Sequence, residues 1–216
     1  MALTPVASDN FNRGDGDIGA NWTNGPVGSG CSVNTNKLEP TDQNDDNPEF
    51  WNGDSFAAQA QYSDLTFDTL DGSANYMGPC VHMDASDYVA SQCREGDPPD
   101  AIIFWYNGGS YTEIASQASV VWAGGDTGRL EVSGTTYTFY RNDVSLINGT
   151  NGSAPTSGAA GVTMYSAGER IEDWVGGDIT ADGPANLKTF NGVATASIKT
   201  IDGTAIASVK TINGVS

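Results

Sequence analysis

The run Arg129-Leu130-Glu131-Val132-Ser133-Gly134-Thr135-Thr136-Tyr137-Thr138-Phe139-Tyr140-Arg141 decides the fold class. If Gly134-Thr135 is a two-residue turn, Val132 faces Tyr137 and Leu130 faces Phe139, all on one side. Glu131 then faces Thr138 and Arg129 faces Tyr140 on the other. Gly at the first turn position suits a type II′ turn, whose twist matches paired strands. Turn chemistry and alternation agree here, and that agreement fixes register.

The same period continues outward. Cys31 to Leu38 alternates loosely and reads as one strand. Ser55 to Tyr62 sets Phe56, Ala58, Ala60 and Tyr62 against Ser55, Ala57, Gln59 and Gln61, the pattern of a half-buried strand. Ala101 to Tyr106 is continuously apolar, as expected of a strand covered on both faces. Tyr111 to Trp122 is long and mostly extended, and Ala159–Tyr165 and Glu169–Val175 read as closing strands. No window holds a 3.6-residue period, so no long helix is expected. Short strands at roughly ten-residue spacing argue for an all-β sandwich.

The last thirty residues have a different organisation. Leu187-Lys188-Thr189-Phe190-Asn191-Gly192, Ile198-Lys199-Thr200-Ile201-Asp202-Gly203 and Val209-Lys210-Thr211-Ile212-Asn213-Gly214 repeat with a period of eleven residues. Asn-Gly and Asp-Gly suit turns with positive φ at both central positions. So short a β-ribbon buries little of its own surface. Phe190, Ile198, Ile201, Ile206, Val209 and Ile212 therefore need a partner surface, and repetition suggests self-association, with a trimer as the expectation. The sequence reads as a sandwich domain at 1–180, a linker at 181–186 and a β-repeat tail at 187–216.

The formal net charge is −18. Three lysines face Asp202 in the tail, which leaves 6 basic against 26 acidic residues before it. So acidic a body argues against nucleic acid, whose phosphates need a basic surface. No apolar run is long enough to span a bilayer as a helix. Met1 to Asp9 lacks a basic segment and an apolar core, so no secretory signal is expected. The Asn-X-Ser/Thr triplets at Asn21, Asn148 and Asn151 then read as incidental.

Three cysteines, Cys31, Cys80 and Cys93, do not make a disulfide framework. A hairpin turning at Asp84–Asp87 would bring Cys80 near Cys93, where an oxidising compartment would allow a bridge; reduced thiols are the expectation. Zinc is not expected with His82 as the single histidine. Calcium, which takes oxygen ligands, has two candidate clusters: Asp42, Asp45 and Asp46, and Asp15 with Asp17. A solvated acidic loop is the simpler reading, and no cofactor is expected. Retaining glucanases need two carboxylates about 5 Å apart. No strand here carries the required spacing, and the adjacent Glu172 and Asp173 would point to opposite faces. No catalytic residue is assigned. Sugar binding would need an exposed aromatic platform, for which Trp51, Trp105, Tyr106, Tyr111 and Trp122 are candidates; core packing competes for each.

The opening Asp9-Asn10-Phe11-Asn12-Arg13-Gly14-Asp15-Gly16-Asp17-Ile18-Gly19-Ala20-Asn21-Trp22 resembles the start of concanavalin A-like jelly-roll domains found in bacteriophage structural proteins. Gly14 stands where that family usually has Ala, and 42–48 looks like an insertion. The run from Gly128 to Asp143 is similar to that family's hairpin, and Gly161 to Gly177 to its final strands. The tail is similar to repeats at the C-termini of phage tail and virion proteins. In the opening motif Phe11 and Trp22 are expected to plug the sandwich. Asp15-Gly16-Asp17 should turn tightly and cap backbone N–H groups, with Arg13 paired to one of those carboxylates or a nearby carbonyl. The resemblance implies a non-enzymatic virion protein, either a capsid decoration protein, a head fibre or a tail component. Its partners would be other virion proteins and its own copies, not nucleic acid or membrane. The alternative is a receptor-recognition module of a phage tail that binds a cell-surface glycan. A polysaccharide-cleaving hydrolase ranks below both.

Overall fold

The computed structural model describes residues 1–42, 45–57, 59–70, 76–94, 100–166 and 168–180, together with the backbone of four two-residue strands in the tail. In chain order the strands are β1 (Ala2–Asp9), β2 (Gly16–Asp17), β3 (Trp22–Asn24), β4 (Cys31–Asn34), β5 (Lys37–Pro40), β6 (Glu49–Trp51), β7 (Ala60–Thr69) and β8 (Tyr76–Met83). They continue with β9 (Asp87–Arg94), β10 (Asp100–Asn107), β11 (Ser110–Ala118), β12 (Thr127–Ser133), β13 (Thr136–Arg141), β14 (Val144–Thr150), β15 (Ala159–Met164) and β16 (Arg170–Thr180). There is no helix among the described residues.

The strands form two antiparallel sheets. The first runs β14-β13-β12-β7-β16-β5-β4-β2, with β1 also paired to β16; the second runs β11-β10-β9-β8-β15-β6-β3. Strands distant in sequence are neighbours in both, as in a jelly roll. Pro5–Asp178 form one compact unit, and Met1–Thr4 with Ile179–Ser216 form another. In the second unit the Thr180 hydroxyl donates to the Ala2 carbonyl at 3.3 Å. Farther along, Phe190 pairs with Val193 and Ile201 with Thr204. Each pair closes over two residues, the spacing an Asn-Gly or Asp-Gly hairpin requires. The side chains of Phe190, Ile198, Ile201, Ile206, Val209 and Ile212, and the linker 181–186, lie outside the described residues.

The decisive hairpin has the expected register, Val132 opposite Tyr137 and Leu130 opposite Phe139. All four are buried. Gly134 has φ +62° while Thr135 does not share it, as a type II′ turn demands. Between the sheets Trp22, Trp51 and Trp174 form one cluster, with ring centroids 4.7–5.7 Å apart. The Trp174 indole donates to Ser63 Oγ at 2.9 Å. Trp122 packs between Phe67 and Phe139, each at 5.4 Å.

The opening motif plugs the sandwich as expected: Phe11 and Trp22 are buried. Arg13, however, pairs with Asp9, whose Oδ2 also accepts the Trp22 indole N–H at 2.9 Å. Asp9 thus ties three parts of the motif together, while Asp17 caps Gly19 N and Asp15 caps Thr35 N. Cys31 to Leu38 is not one strand but a hairpin, β4–β5. Thr35 and Asn36 both have positive φ, a turn without the glycine that would have announced it. The strand expected at Ser55 starts instead at Ala60 and reaches Thr69, because Gln59 at φ +69° breaks the extended run.

Cys80 lies opposite Ala90, and Cys93 opposite Met77. Cys93 faces the main core and Cys80 the opposite side of the sheet. The two are therefore not partners, and all three cysteines are buried thiols. His82 is buried, and its Nδ1–H donates to the Pro155 carbonyl at 2.7 Å. Burial lowers its pKa, in keeping with a neutral structural imidazole.

Candidate functional site

The outer face of the second sheet is unusual because it is apolar. On β9, Val89 and Cys93 point into the core, so Tyr88, Ala90, Gln92 and Arg94 point outward. Pairing extends this face across β10 through Tyr106, Phe104 and Ile102. A bulge after Ile103 keeps Glu113 opposite Phe104 and Tyr111 opposite Tyr106 on β11. Cys80, Met83, Tyr88, Ala90, Phe104 and Tyr106 form a second buried cluster there, against which Val27 and Phe50 pack. Tyr88 stacks on Tyr106 at 5.1 Å, and Tyr111 closes on Phe104 at 5.5 Å.

Asp46, from the acidic loop, reaches this cluster. The buried Asn47 side chain donates to the carbonyls of Asp42 and Asp45, at 3.1 and 2.8 Å. Its backbone N–H donates to Met164 O at 2.8 Å. These bonds aim Asp46 at the sheet. Gly28, at φ +70°, lets the chain pass so close that a Cβ would stand 2.1 Å from the Asp46 carbonyl. Asp46 is only 2% exposed. Its Oδ2 accepts the Tyr111 hydroxyl, with the Tyr88 hydroxyl 3.5 Å away. Burial pushes the Asp46 carboxyl above the ordinary carboxylate range, and the phenols of Tyr111, Tyr88 and Tyr76 pull the other way. Those phenols are themselves pushed up, chiefly by burial, so they remain donors near neutral pH.

Beside this carboxyl lies a recess of about 290 Å³, lined by Asp46, Tyr76, Gln92, Arg94, Ile102, Phe104, Tyr111 and Glu113. Phe104 and Ile102 supply apolar surface. Arg94 lies over the Tyr76 ring at 5.9 Å and 3.5 Å from Asp100 Oδ2. Glu113 accepts the Ser116 hydroxyl at 2.7 Å.

Of the aromatics named as sugar-binding candidates, Tyr111 stands at the recess and is 54% exposed. Tyr106 lies beneath it, buried. Trp51 and Trp122 are core side chains, and Trp105 packs half-buried on the core face. Large indoles fill the interior of this sandwich, which removes them as platforms. Tyr76, Gln92, Arg94, Ile102, Phe104 and Glu113 carry no binding signal by residue type; alternation along β9 and β10 is the pattern that groups several of them. The calcium candidates disperse: Asp42 accepts Ser29 Oγ, Asp45 accepts Asp46 N, and Asp15 and Asp17 cap the loops above. Among the described residues no three His, Cys, Asp or Glu side chains gather in one place. Glu172 pairs with Lys37 at 2.6 Å on the first sheet, away from the recess.

No protein-family model matches the chain, and no curated protein matches its sequence. Solved structures do. The carbohydrate-binding module CBM66 from Bacillus subtilis aligns over 76% of this chain and 96% of its own, at 15% identity and a TM-score of 0.55. A Bacillus subtilis protein of unknown function with a galectin-like fold aligns over 82% and 98%, at 8% identity and a TM-score of 0.59. The catalytic domain of an endo-1,3-β-glucanase (laminarinase) from Thermotoga petrophila RKU-1 aligns over 83% and 99%, at 9% identity and a TM-score of 0.52. The fold is the concanavalin A-like jelly roll. Within it the seven-stranded sheet carries the recess, and the nine-stranded sheet backs it.

Proposed function

We propose that this jelly roll is a non-enzymatic, lectin-like module that binds carbohydrate in the recess on the outer face of its second sheet. One observation carries the reading: an apolar, aromatic-floored depression ringed by carboxylate, amide, guanidinium and phenol groups. Sugars present C–H faces that rest on aromatic rings and hydroxyls that bond to such groups. The reading is also supported by similarity to a protein described as a carbohydrate-binding module. Hydrolysis is disfavoured. A glycosidase needs two carboxylates flanking the bond to be cut. Here Asp46 already accepts the Tyr111 hydroxyl at its Oδ2, whereas Glu113 is exposed and bonded to Ser116. A glycan array with native protein and Tyr111→Ala tests the reading. Binding that the substitution abolishes supports it; no binding to any glycan refutes it, and release of reducing ends would replace it with an enzyme.

The resemblance of the opening motif and the repeat tail to phage proteins supports reading such a module as a receptor-recognition element of a virion, anchored or trimerised through its tail. The tail also favours a second reading, a ligand-free virion structural protein serving as capsid decoration, head fibre or tail component. Deleting residues after Ala185 should leave a folded sandwich that keeps its glycan binding and loses self-association. An unchanged oligomeric state by light scattering would defeat the role given to the tail.

A further inference from the structure

We propose that the recess selects an uncharged terminal sugar, whose hydroxyls donate to Asp46 Oδ1 and accept from Gln92 Nε2. This rests on the carbohydrate-binding reading and specifies its ligand class.

Two buried polar atoms carry the argument. Asp46 and Gln92 are 2% and 5% exposed, and both line the recess. Asp46 Oδ1 and Gln92 Nε2 have no hydrogen-bond partner among the described residues. Buried polar atoms are nearly always satisfied, so an unsatisfied acceptor and an unsatisfied donor on two residues that line one depression call for a ligand that supplies both complements. A hydroxyl donates and accepts at once, so a polyol meets both needs. A ligand carboxylate, sulfate or phosphate would face Asp46 without a proton to give it. Asp46 is also held in place before any ligand arrives, because its other oxygen is engaged by Tyr111. Such preorganisation lowers the cost of ordering the site on binding.

Charge counts against acidic sugars. Among the described residues, Asp46 and Glu113 give the lining two carboxylates against one cation, Arg94. Arg94 is already drawn towards Asp100 and the Tyr76 ring. Uronic, sialic and sulfated sugars therefore meet like charge, with no free cation among the described lining residues to offset it. The volume of about 290 Å³ lies at the small end of ligand pockets, which suits a chain end rather than a long internal segment.

The test is a binding panel on the full chain, using glycans that end in neutral hexoses, N-acetylhexosamines, uronic acids, sialic acid or free amino sugars. Titrations with the best ligand follow for native protein, Gln92→Leu, Asp46→Asn and Glu113→Gln, with melting curves as a folding control. Neutral termini should bind best. Gln92→Leu keeps the side chain's bulk, removes the donor, and should weaken binding about tenfold or more. Glu113→Gln, at the exposed rim, should change affinity less than Gln92→Leu. If acidic or amino sugars bind best, or if Gln92→Leu binds like native protein, the proposal falls while the carbohydrate reading stands. If no glycan binds, both fall. The selectivity of native protein alone decides the matter should Asp46→Asn fail to fold.

Discussion

Glu49 offers the sharpest quantitative test of the fold. It sits on β6, 1% exposed, one residue before the outward-facing Phe50 and two before the core residue Trp51. Its Oε1 accepts the Cys31 N–H at 3.0 Å, and its Oε2 has no hydrogen-bond partner among the described residues. Burial raises its pKa from 4.5 to about 7; the Cys31 N–H opposes the rise, and nearby Asp17 adds to it. Between those two values the folded protein holds a proton that the unfolded chain has lost. The site's contribution is thus fully present below the unfolded pKa and is lost as pH rises through about 7. A separation of about 2.5 at about 1.4 kcal/mol per tenfold corresponds to about 3 kcal/mol. Glu49→Gln keeps an acceptor for Cys31 and cannot ionise. Relative to native protein, the variant should gain about 3 kcal/mol between pH 4.5 and pH 8, read from urea denaturation midpoints. Because only the difference between the proteins is followed, titration of His82 and Asp46 cancels to first order. A stability difference that stays flat with pH would refute the burial argument for this carboxyl.

Other substitutions probe the remaining layers. Trp174→Ala removes the centre of the tryptophan cluster and the indole bond to Ser63, and should cost about 3–5 kcal/mol by urea denaturation. A loss below about 1 kcal/mol would mean that the cluster is not tightly packed. Gly28→Ala forces a Cβ against the Asp46 carbonyl and should abolish sugar binding while far-ultraviolet circular dichroism keeps its β signature; retained affinity would show that this loop does not shape the recess. Ellman's reagent should find the three thiols slow to react in native protein and fully reactive in denaturant; fewer than three in denaturant without reductant would indicate a disulfide.

Much of the fold was legible because independent local signals coincided. In the Arg129–Arg141 hairpin the glycine turn and the alternation specify the same register. In β10 the apolar run from Ala101 to Tyr106 marks a strand covered on both faces, by the core and by the second cluster. Legibility failed where conformation departed from propensity. Thr35 enters a left-handed turn that β-branched residues disfavour, and Gln59 does the same just before β7. The site was less legible than the fold. Tyr111 was recognised for its chemistry, but Trp51 and Trp122 have the same chemistry and lie in the core, because exposure depends on pairing that no single strand reveals. In the sequence Asp46 is one of several acidic loop residues. Its role comes from Gly28 and Asn47, which fold that loop onto a sheet far away in sequence.

The central claim is that carbohydrate is bound on the outer face of the second sheet, and a crystal structure of the protein with its best array ligand tests it most directly. The account predicts a sugar ring against Phe104 and Tyr111, with its hydroxyls within hydrogen-bonding distance of Asp46 Oδ1 and Gln92 Nε2. A sugar bound at another surface, with this recess unchanged, would contradict it.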